Sequence, residues 1–398
     1  MSVLVQKYGG SSVADVEKIG QVAERVVAAK RAGNDVVVVV SAMGKTTDGL
    51  LALAKSVHAD APRRELDMLV STGERVSMAL LSIAIHARGE GAISFTGSQS
   101  GIITNDRHFD ARIIEVRPHR IEDELARGRI VIVAGYQGMS YKREITTLGR
   151  GGSDTTAVAL AAALGAERCE IYSDVDGVYS ADPRVVSDSV HLPALDLATL
   201  QEMAEAGAKV LNAQAVEWAR KAKITLHARK TRDPLDARGN PARETIARES
   251  EACGARAVVG LDRVVRLRVK GSQMRALAEA AAELDVPLLD ASVAGDEASA
   301  VIPLLNVPDW ERRRAALDAQ MAGAIAWTFG EAMVSVVGDG LTTTARALPR
   351  FYAALAKAGV KGEPQALIAG PLRIGACIDA ELLAPAQRAL HDAFVVVR

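Results

Sequence analysis

The sequence predicts an α/β protein: a layered fold on a mainly parallel central sheet, followed by two smaller ferredoxin-like units. Three observations carry this. Short apolar runs alternate with longer helical patterns through residues 1–230. Glycine-bearing loops follow the strand ends in the same stretch. Beyond residue 256 a βαββαβ pattern occurs twice.

Each element has its own signal. Residues up to Lys7 lead straight into a strand pattern, with no basic leader and no cleavage site. Between Asp15 and Lys30, Val16, Ile19, Val22, Ala23, Val26 and Val27 fall on one helical face, and Gly33 follows as a stop. Val36–Val40 is an unbroken run of valines, and Ile130–Ala134 reads the same way. Such runs mark parallel strands buried on both faces. Alternating βα units imply a layered sheet, which binds ligands beyond the carboxyl ends of its strands. Residues 231–256 are charged, hold two prolines and lack periodicity, which predicts a linker or an excursion between domains. The first tail unit, 257–330, comprises Val264–Val269, a helix over Gln273–Leu284, strands near Leu288 and Val301, a helix over Asp309–Met321 and a strand near Ile325. The second, 331–398, comprises Met333–Val337, a helix over Pro349–Ala358, strands near Leu367 and Ile374, a helix over Ala384–Ala393 and a strand over Phe394–Val397. A duplicated set of this kind reads as a ferredoxin-like pair.

Composition narrows the function classes. The 398 residues exceed what one core organises, so two or three domains are expected. Hydrophobic residues are 49%, charged residues 24% and the net charge is -1, which points to neither nucleic acid nor an acidic membrane. No uninterrupted apolar run approaches the roughly 20 residues that span a bilayer. Cys169, Cys253 and Cys377 are far apart and form no CxxC pair, so they read as reduced structural thiols in a cytoplasm.

Several loops carry anion-binding chemistry. Lys7 ends the first strand and precedes Gly9, Gly10, Ser11 and Ser12, where backbone N–H groups and a helix start can approach a phosphate. An ordinary βα turn with a solvated lysine is the plain alternative. Ser41–Thr47 resembles a Walker loop, but Val39 stands where that motif needs glycine, so it is rejected. Ser41 and Thr47 remain possible ligand donors, Thr47 alternatively a helix cap. Thr72-Gly73-Glu74 lies inside an apolar helical pattern, where Glu74 either accepts a substrate ammonium or faces water. Thr147–Asp154 places Gly149, Gly151 and Gly152 around Arg150 before a helix expected over Thr155–Leu164. That is an anion cradle in which Arg150 can grip a carboxylate; Asp154 caps the helix or holds lysines near phosphates. After a strand over Cys169–Tyr172, the run Ser173–Arg184 includes Asp174, Tyr179 and Asp182 and has the wrong spacing for an EF-hand. Tyr179 could pack a nucleotide and Arg184 a phosphate, with Lys209 a second phosphate lysine.

Together, KYGGSSV at 7–13, SAMGKTTD at 41–48, STGE at 71–74, VAGYQG at 133–138, TTLGRGGSDTTAVALAAALGA at 146–166, IYSDVDGVYSADPRVV at 171–186 and EAGAKVLNAQAVEWARK at 205–221 resemble the aspartate kinase family. The resemblance covers residues 1–230 and implies the amino-acid-kinase fold with two C-terminal ACT-type units interlocked in a homodimer. It implies ATP and L-aspartate as substrates, with Mg²⁺ held mainly by the ATP phosphates and no protein metal cage. Carried over by position, the catalytic groups are Lys7, Asp154 and Lys209, with Asp154 orienting both lysines. The aspartate groups are Ser41, Thr47, Glu74, Arg150, Gly151 and Gly152. The ATP groups are Lys7, Gly9, Gly10, Ser11, Ser173, Asp174, Tyr179, Asp182, Arg184 and Lys209. The product would be 4-phospho-L-aspartate, feeding lysine, threonine and methionine synthesis in a cytoplasmic enzyme.

Three departures stand out. The family's LHPRAVE is Leu211–Glu217 here, reading LNAQAVE. Lys270-Gly271-Ser272-Gln273 replaces a DKPG-like loop, and Thr343-Thr344-Ala345-Arg346 replaces a proline-glycine pair. Pro349 stands in the second helix region, which suggests a later start for that helix. These changes spare catalysis and put feedback control in doubt. Rival readings are a kinase of glutamate, N-acetylglutamate, carbamate or UMP, an effector-binding regulator on the same scaffold, and a specialised aspartate kinase serving a dedicated pathway with altered feedback.

Overall fold

The computed structural model describes residues 2–236, 239–250, 254–307, 309–343 and 345–395. Cys253, Thr344, Val396 and Val397, on which sequence readings fall, lie outside them. The chain divides into two compact units. The first is Met1–Val178, His191–Gln201 and Val210–Ser250; the second is Tyr179–Val190, Glu202–Lys209 and Glu251–Arg398.

The first unit is built on eight strands in the order Ala194–Asp196, Glu244–Arg248, Thr225–Lys230, Arg168–Ser173, Val3–Tyr8, Asp35–Val40, Ile130–Ala134, Ala92–Phe95. Neighbours are parallel from Thr225–Lys230 through to Ala92–Phe95, whereas Thr225–Lys230 and Glu244–Arg248 are antiparallel. Alternation explains the valine run. Val36, Val38 and Val40 join the core under the helices Val16–Arg31 and Thr72–His86, with Ile19, Val22, Leu81 and Ile85. Val37 and Val39 face the other way and are equally buried. A second, four-stranded sheet runs Ile113–Val116, Ile102–Thr104, Gln137–Ser140, Ile145–Thr147.

The second unit holds one six-stranded antiparallel sheet: Leu289–Ala294, Glu297–Pro303, Gly254–Lys270, Ala326–Asp339, Arg373–Asp379, Gln365–Ala369. Helices Met274–Glu283 and Trp310–Gln320 contribute Leu277, Ala280 and Leu317 to one core, and helices Ala347–Lys357 and Leu383–Phe394 contribute Phe351, Leu355 and Leu390 to another. The two βαβ sets therefore share a continuous sheet, because Gly254–Lys270 and Ala326–Asp339 each run through both halves. In the second half, Gly254–Leu261 lies beside Met333–Asp339.

Some sequence expectations are corrected here. Residues 231–256 are not all connection, since Glu244–Arg248 is a sheet strand and Gly254 begins another. The helix expected to start late begins at Ala347, with Pro349 inside its first turn, where its missing N–H costs nothing. Phe394 ends a helix instead of opening a strand. Arg63–His86 is a helical stretch long and apolar enough to cross a membrane by length and composition. It is two helices meeting at Ser71, and it buries Asp67, Val70, Glu74, Met78, Leu81 and Ile85 within the first unit.

Candidate active site

In the first unit, Lys7, Ser41 and Ser173 lie at or just beyond the carboxyl ends of parallel strands. Lys7 lies next to the last residue of Val3–Tyr8, and its Nζ meets Asp154 Oδ1 at 2.7 Å, with both side chains only 11% exposed. Asp154 sits in the first turn of Gly152–Ala163, where the helix N-terminus favours a carboxylate. The helix begins at Gly152, earlier than the sequence suggested, and Asp154 does not cap it. Gly151, the residue before it, has φ +71, and a Cβ there would fall within 2.5 Å of Asn212 Cβ. Arg150 is exposed, and its carbonyl accepts a hydrogen bond from Asn212 Nδ2 at 2.8 Å.

The loop after Lys7 closes on the loop after Val40. Gly9 N donates to Tyr172 O at 3.1 Å, Gly10–Val13 forms a 3₁₀ turn, and Gly44 N donates to Gly10 O at 3.0 Å. Ser11 is exposed, whereas Ser12 is buried and bonded to Thr231 Oγ1 at 2.6 Å. Ser41 follows Val40, is half-buried, and accepts Ser77 Oγ on its carbonyl at 2.7 Å. Thr47 is half-buried in the first turn of Thr46–Val57. It does not cap that helix, whose N-cap position is Lys45 with no side-chain cap. Thr46 Oγ1 instead donates to Met43 O at 2.6 Å.

Glu74 is 3% exposed, so the water-facing alternative fails. Its Oε1 accepts from Ala42 N at 3.1 Å, and its buried Oε2 has no hydrogen-bond partner among the described residues. Burial pushes its carboxyl up to about 7, against the pull of the Ala42 hydrogen bond. Gly73 makes this possible: a Cβ at that position would come within 2.8 Å of Ala42 Cβ. Ser173 ends its strand and accepts from Val175 N on Oγ at 3.2 Å, while Asp174 is exposed.

Tyr179, Asp182, Arg184 and Lys209 belong to the second unit. Arg184 holds Asp182 in a two-pronged pair at 3.0 and 2.8 Å, which keeps the Asp182 carboxyl below its usual range. Asp154 is paired with Lys7, whereas Lys209 Nζ lies 3.6 Å from Asp262 Oδ2, with both side chains more than half exposed. An exposed pair of that kind holds weakly.

Two residues escaped the sequence reading. Asn212 caps the helix Ala213–Ala222, accepting from Gln214 N and Ala215 N, while its amide holds Arg150 O. An asparagine ahead of a helical run was the available signal. Asp67 had none, because its partners are His108 and Thr147.

The sequence profile of the amino acid kinase family matches residues 2–229. The chain belongs to the amino acid kinase family. Within that family, an aspartokinase of Mycolicibacterium smegmatis is 43% identical over 411 residues, spanning 99% of this chain and 96% of the relative. An aspartokinase of Geobacillus stearothermophilus is 40% identical over 403 residues, spanning 99% and 97%. The crystal structure of E. coli aspartokinase III in complex with aspartate and ADP shares the fold, with a TM-score of 0.87, 23% identity and coverage of 98% of this chain and 99% of that one.

Proposed function

We propose that the chain is an aspartate kinase, transferring the γ-phosphoryl group of ATP to the β-carboxylate of L-aspartate to give 4-phospho-L-aspartate and ADP. The observation that carries it is Glu74: a buried carboxylate with one unpartnered oxygen, in the unit that also holds the Lys7–Asp154 pair. A buried carboxylate is costly unless it meets a cation. The acceptor's ammonium supplies one, and UMP lacks it.

The acceptor carboxylate is already ionised at neutral pH, so no general base is needed and catalysis rests on positioning and charge stabilisation. Glu74 takes the ammonium and Arg150 the α-carboxylate, with Ser41, Thr47 and the N–H groups at Gly151 and Gly152 completing the seat. Lys7, held by Asp154, meets the transferring phosphoryl oxygens. Gly9, Gly10 and Ser11 line the phosphates. Ser173, Asp174, Tyr179, Asp182, Arg184 and Lys209 are assigned to the nucleotide. Mg²⁺ carried on the phosphates supplies further charge neutralisation. The residues fit an ion held chiefly by ATP, since Asp154 is already committed to Lys7. Residues 1–230 carry the assigned catalytic groups, Glu244–Arg248 still belongs to that unit's sheet, and the tail from Gly254 supplies two ACT-like halves that pair the chain with a second copy. A cytoplasmic location accords with free cysteines at 169 and 377. A specialised role in one dedicated pathway is the second reading, favoured by the altered loops at 270–273 and 343–346.

A coupled ADP-release assay with aspartate, glutamate, homoserine and UMP tests this. Aspartate alone should support turnover, and Lys7→Ala should lower kcat by roughly 10²-fold or more. Turnover with another acceptor in place of aspartate, or a near-normal kcat in the variant, overturns it.

A further inference from the structure

Asp67 plays no part in the chemistry above, yet it is fully buried on the helix Arg63–Val70. Its Oδ1 accepts from Thr147 Oγ1 at 2.5 Å and from Phe109 N at 3.0 Å. Its Oδ2 lies 2.6 Å from His108 Nδ1 and also takes Phe109 N at 3.2 Å. Burying a carboxylate so completely is unfavourable unless its lone pairs are filled, and here they are filled from two separate segments.

Those segments converge on the cradle. Thr147 immediately precedes Leu148-Gly149-Arg150. The loop bearing His108 and Phe109 is fixed against the same stretch, because Ala111 N donates to Thr147 O at 2.8 Å. A Cβ on Gly149 would come within 2.8 Å of Asp110 Oδ1. Phe109 has φ +73, a strained backbone for an aromatic residue, and the doubly shared Phe109 N–H fixes it on Asp67. Ala111 N ties the end of the loop to Thr147 O, and the Asp67 carboxylate is what holds Phe109 itself.

We propose that Asp67 and His108 are positioning residues for the acceptor. Together they latch the loop His108–Ala111 and the hydroxyl of Thr147, and thereby set where Arg150 stands. The proposal rests on Arg150 gripping the acceptor's carboxylate. A latch of this kind acts on one substrate only: it displaces the acceptor's seat and leaves the Lys7–Asp154 pair intact.

The test is steady-state kinetics on the full chain with Thr147→Val, Thr147→Ser, Asp67→Asn and His108→Leu. Thr147→Val and Asp67→Asn should raise the KM for aspartate about tenfold, with the KM for ATP unchanged and kcat within about twofold. Thr147→Ser, which keeps the hydroxyl, should restore the wild-type value, and His108→Leu should fall between. Should Asp67→Asn fail to fold, the threonine pair decides. An unchanged aspartate KM in Thr147→Val, or equal rises in both KM values, overturns the latch. A wild-type chain that releases no ADP with aspartate overturns the underlying reading instead.

Discussion

At the scale of single residues, Glu74 is the most informative. Its carboxyl is held up at about 7, against an ordinary value of 4.5, because burial disfavours the charge. Only the ionised form pairs with an ammonium. The KM for aspartate should therefore fall as pH rises from 6 to 8, bending near 7, and Glu74→Gln should raise KM and flatten that dependence. Stability runs the opposite way. Between about pH 4.5 and 7 the folded chain keeps a proton that the unfolded chain loses, so stability falls as pH rises across this window, by up to about 3 kcal/mol. Thermal unfolding of wild type and Glu74→Gln from pH 5 to 8 checks the sign: the variant should lose the decline.

At the scale of elements, the helix Ala213–Ala222 is tied to the cradle through one side chain. Asn212 Oδ1 accepts from Gln214 N and Ala215 N, while Nδ2 donates to Arg150 O. The two roles separate by substitution. Asn212→Ala removes both and should cost about 1 kcal/mol, lowering Tm by roughly 2–4 °C and raising the aspartate KM. Asn212→Asp keeps the capping oxygen and loses the donor, so Tm should stay near wild type while the KM still rises. Calorimetry beside acceptor kinetics distinguishes them; a KM unchanged in both variants would show that this helix does not position Arg150. Element boundaries were legible wherever periodicity was strong, as in Val16–Arg31 with Asp15 accepting Lys18 N as its cap. Gly254–Leu261 was not legible as a strand, because its partners Met333–Asp339 lie far along the chain.

At the scale of the whole molecule, the tail bears on control. The resemblance to aspartate kinases implies that effector carboxylates would sit against the loops that precede the first helix of each ACT-like unit. Three backbone donors at these loops are already engaged: Gly271 N donates to Asp296 O at 2.8 Å, Leu341 N to Pro371 O at 3.0 Å and Thr343 N to Gly340 O at 3.1 Å. An effector shifts an equilibrium only by its differential affinity, and each donor already engaged lowers what its carboxylate can gain there. Lysine and threonine, alone and together at submillimolar concentration, should leave the aspartate-dependent rate nearly unchanged. Strong inhibition in that titration would show that another geometry binds them.

The sequence by itself determined the layered α/β class, the parallel strands, the glycine loops and which polar residues stand beside the strand ends. These rest on short-range rules, since valine runs, helix caps and glycines beside Lys7 and Arg150 are local in the chain. Tertiary structure alone decided which alternative each polar group took. Glu74 could have faced water, and the close approach of Gly73 to Ala42 buried it. Asp154 could have capped its helix, and Lys7, on a strand far along the chain, claimed it. Asp67 could have been any acid in an amphipathic helix, and its meaning came from His108 and Thr147, 41 and 80 residues away. The tail likewise read as two successive units, while pairing between Gly254–Lys270 and Ala326–Asp339 merged them into one sheet. Burial and long-range pairing depend on what the folded chain brings together, which no local pattern encodes.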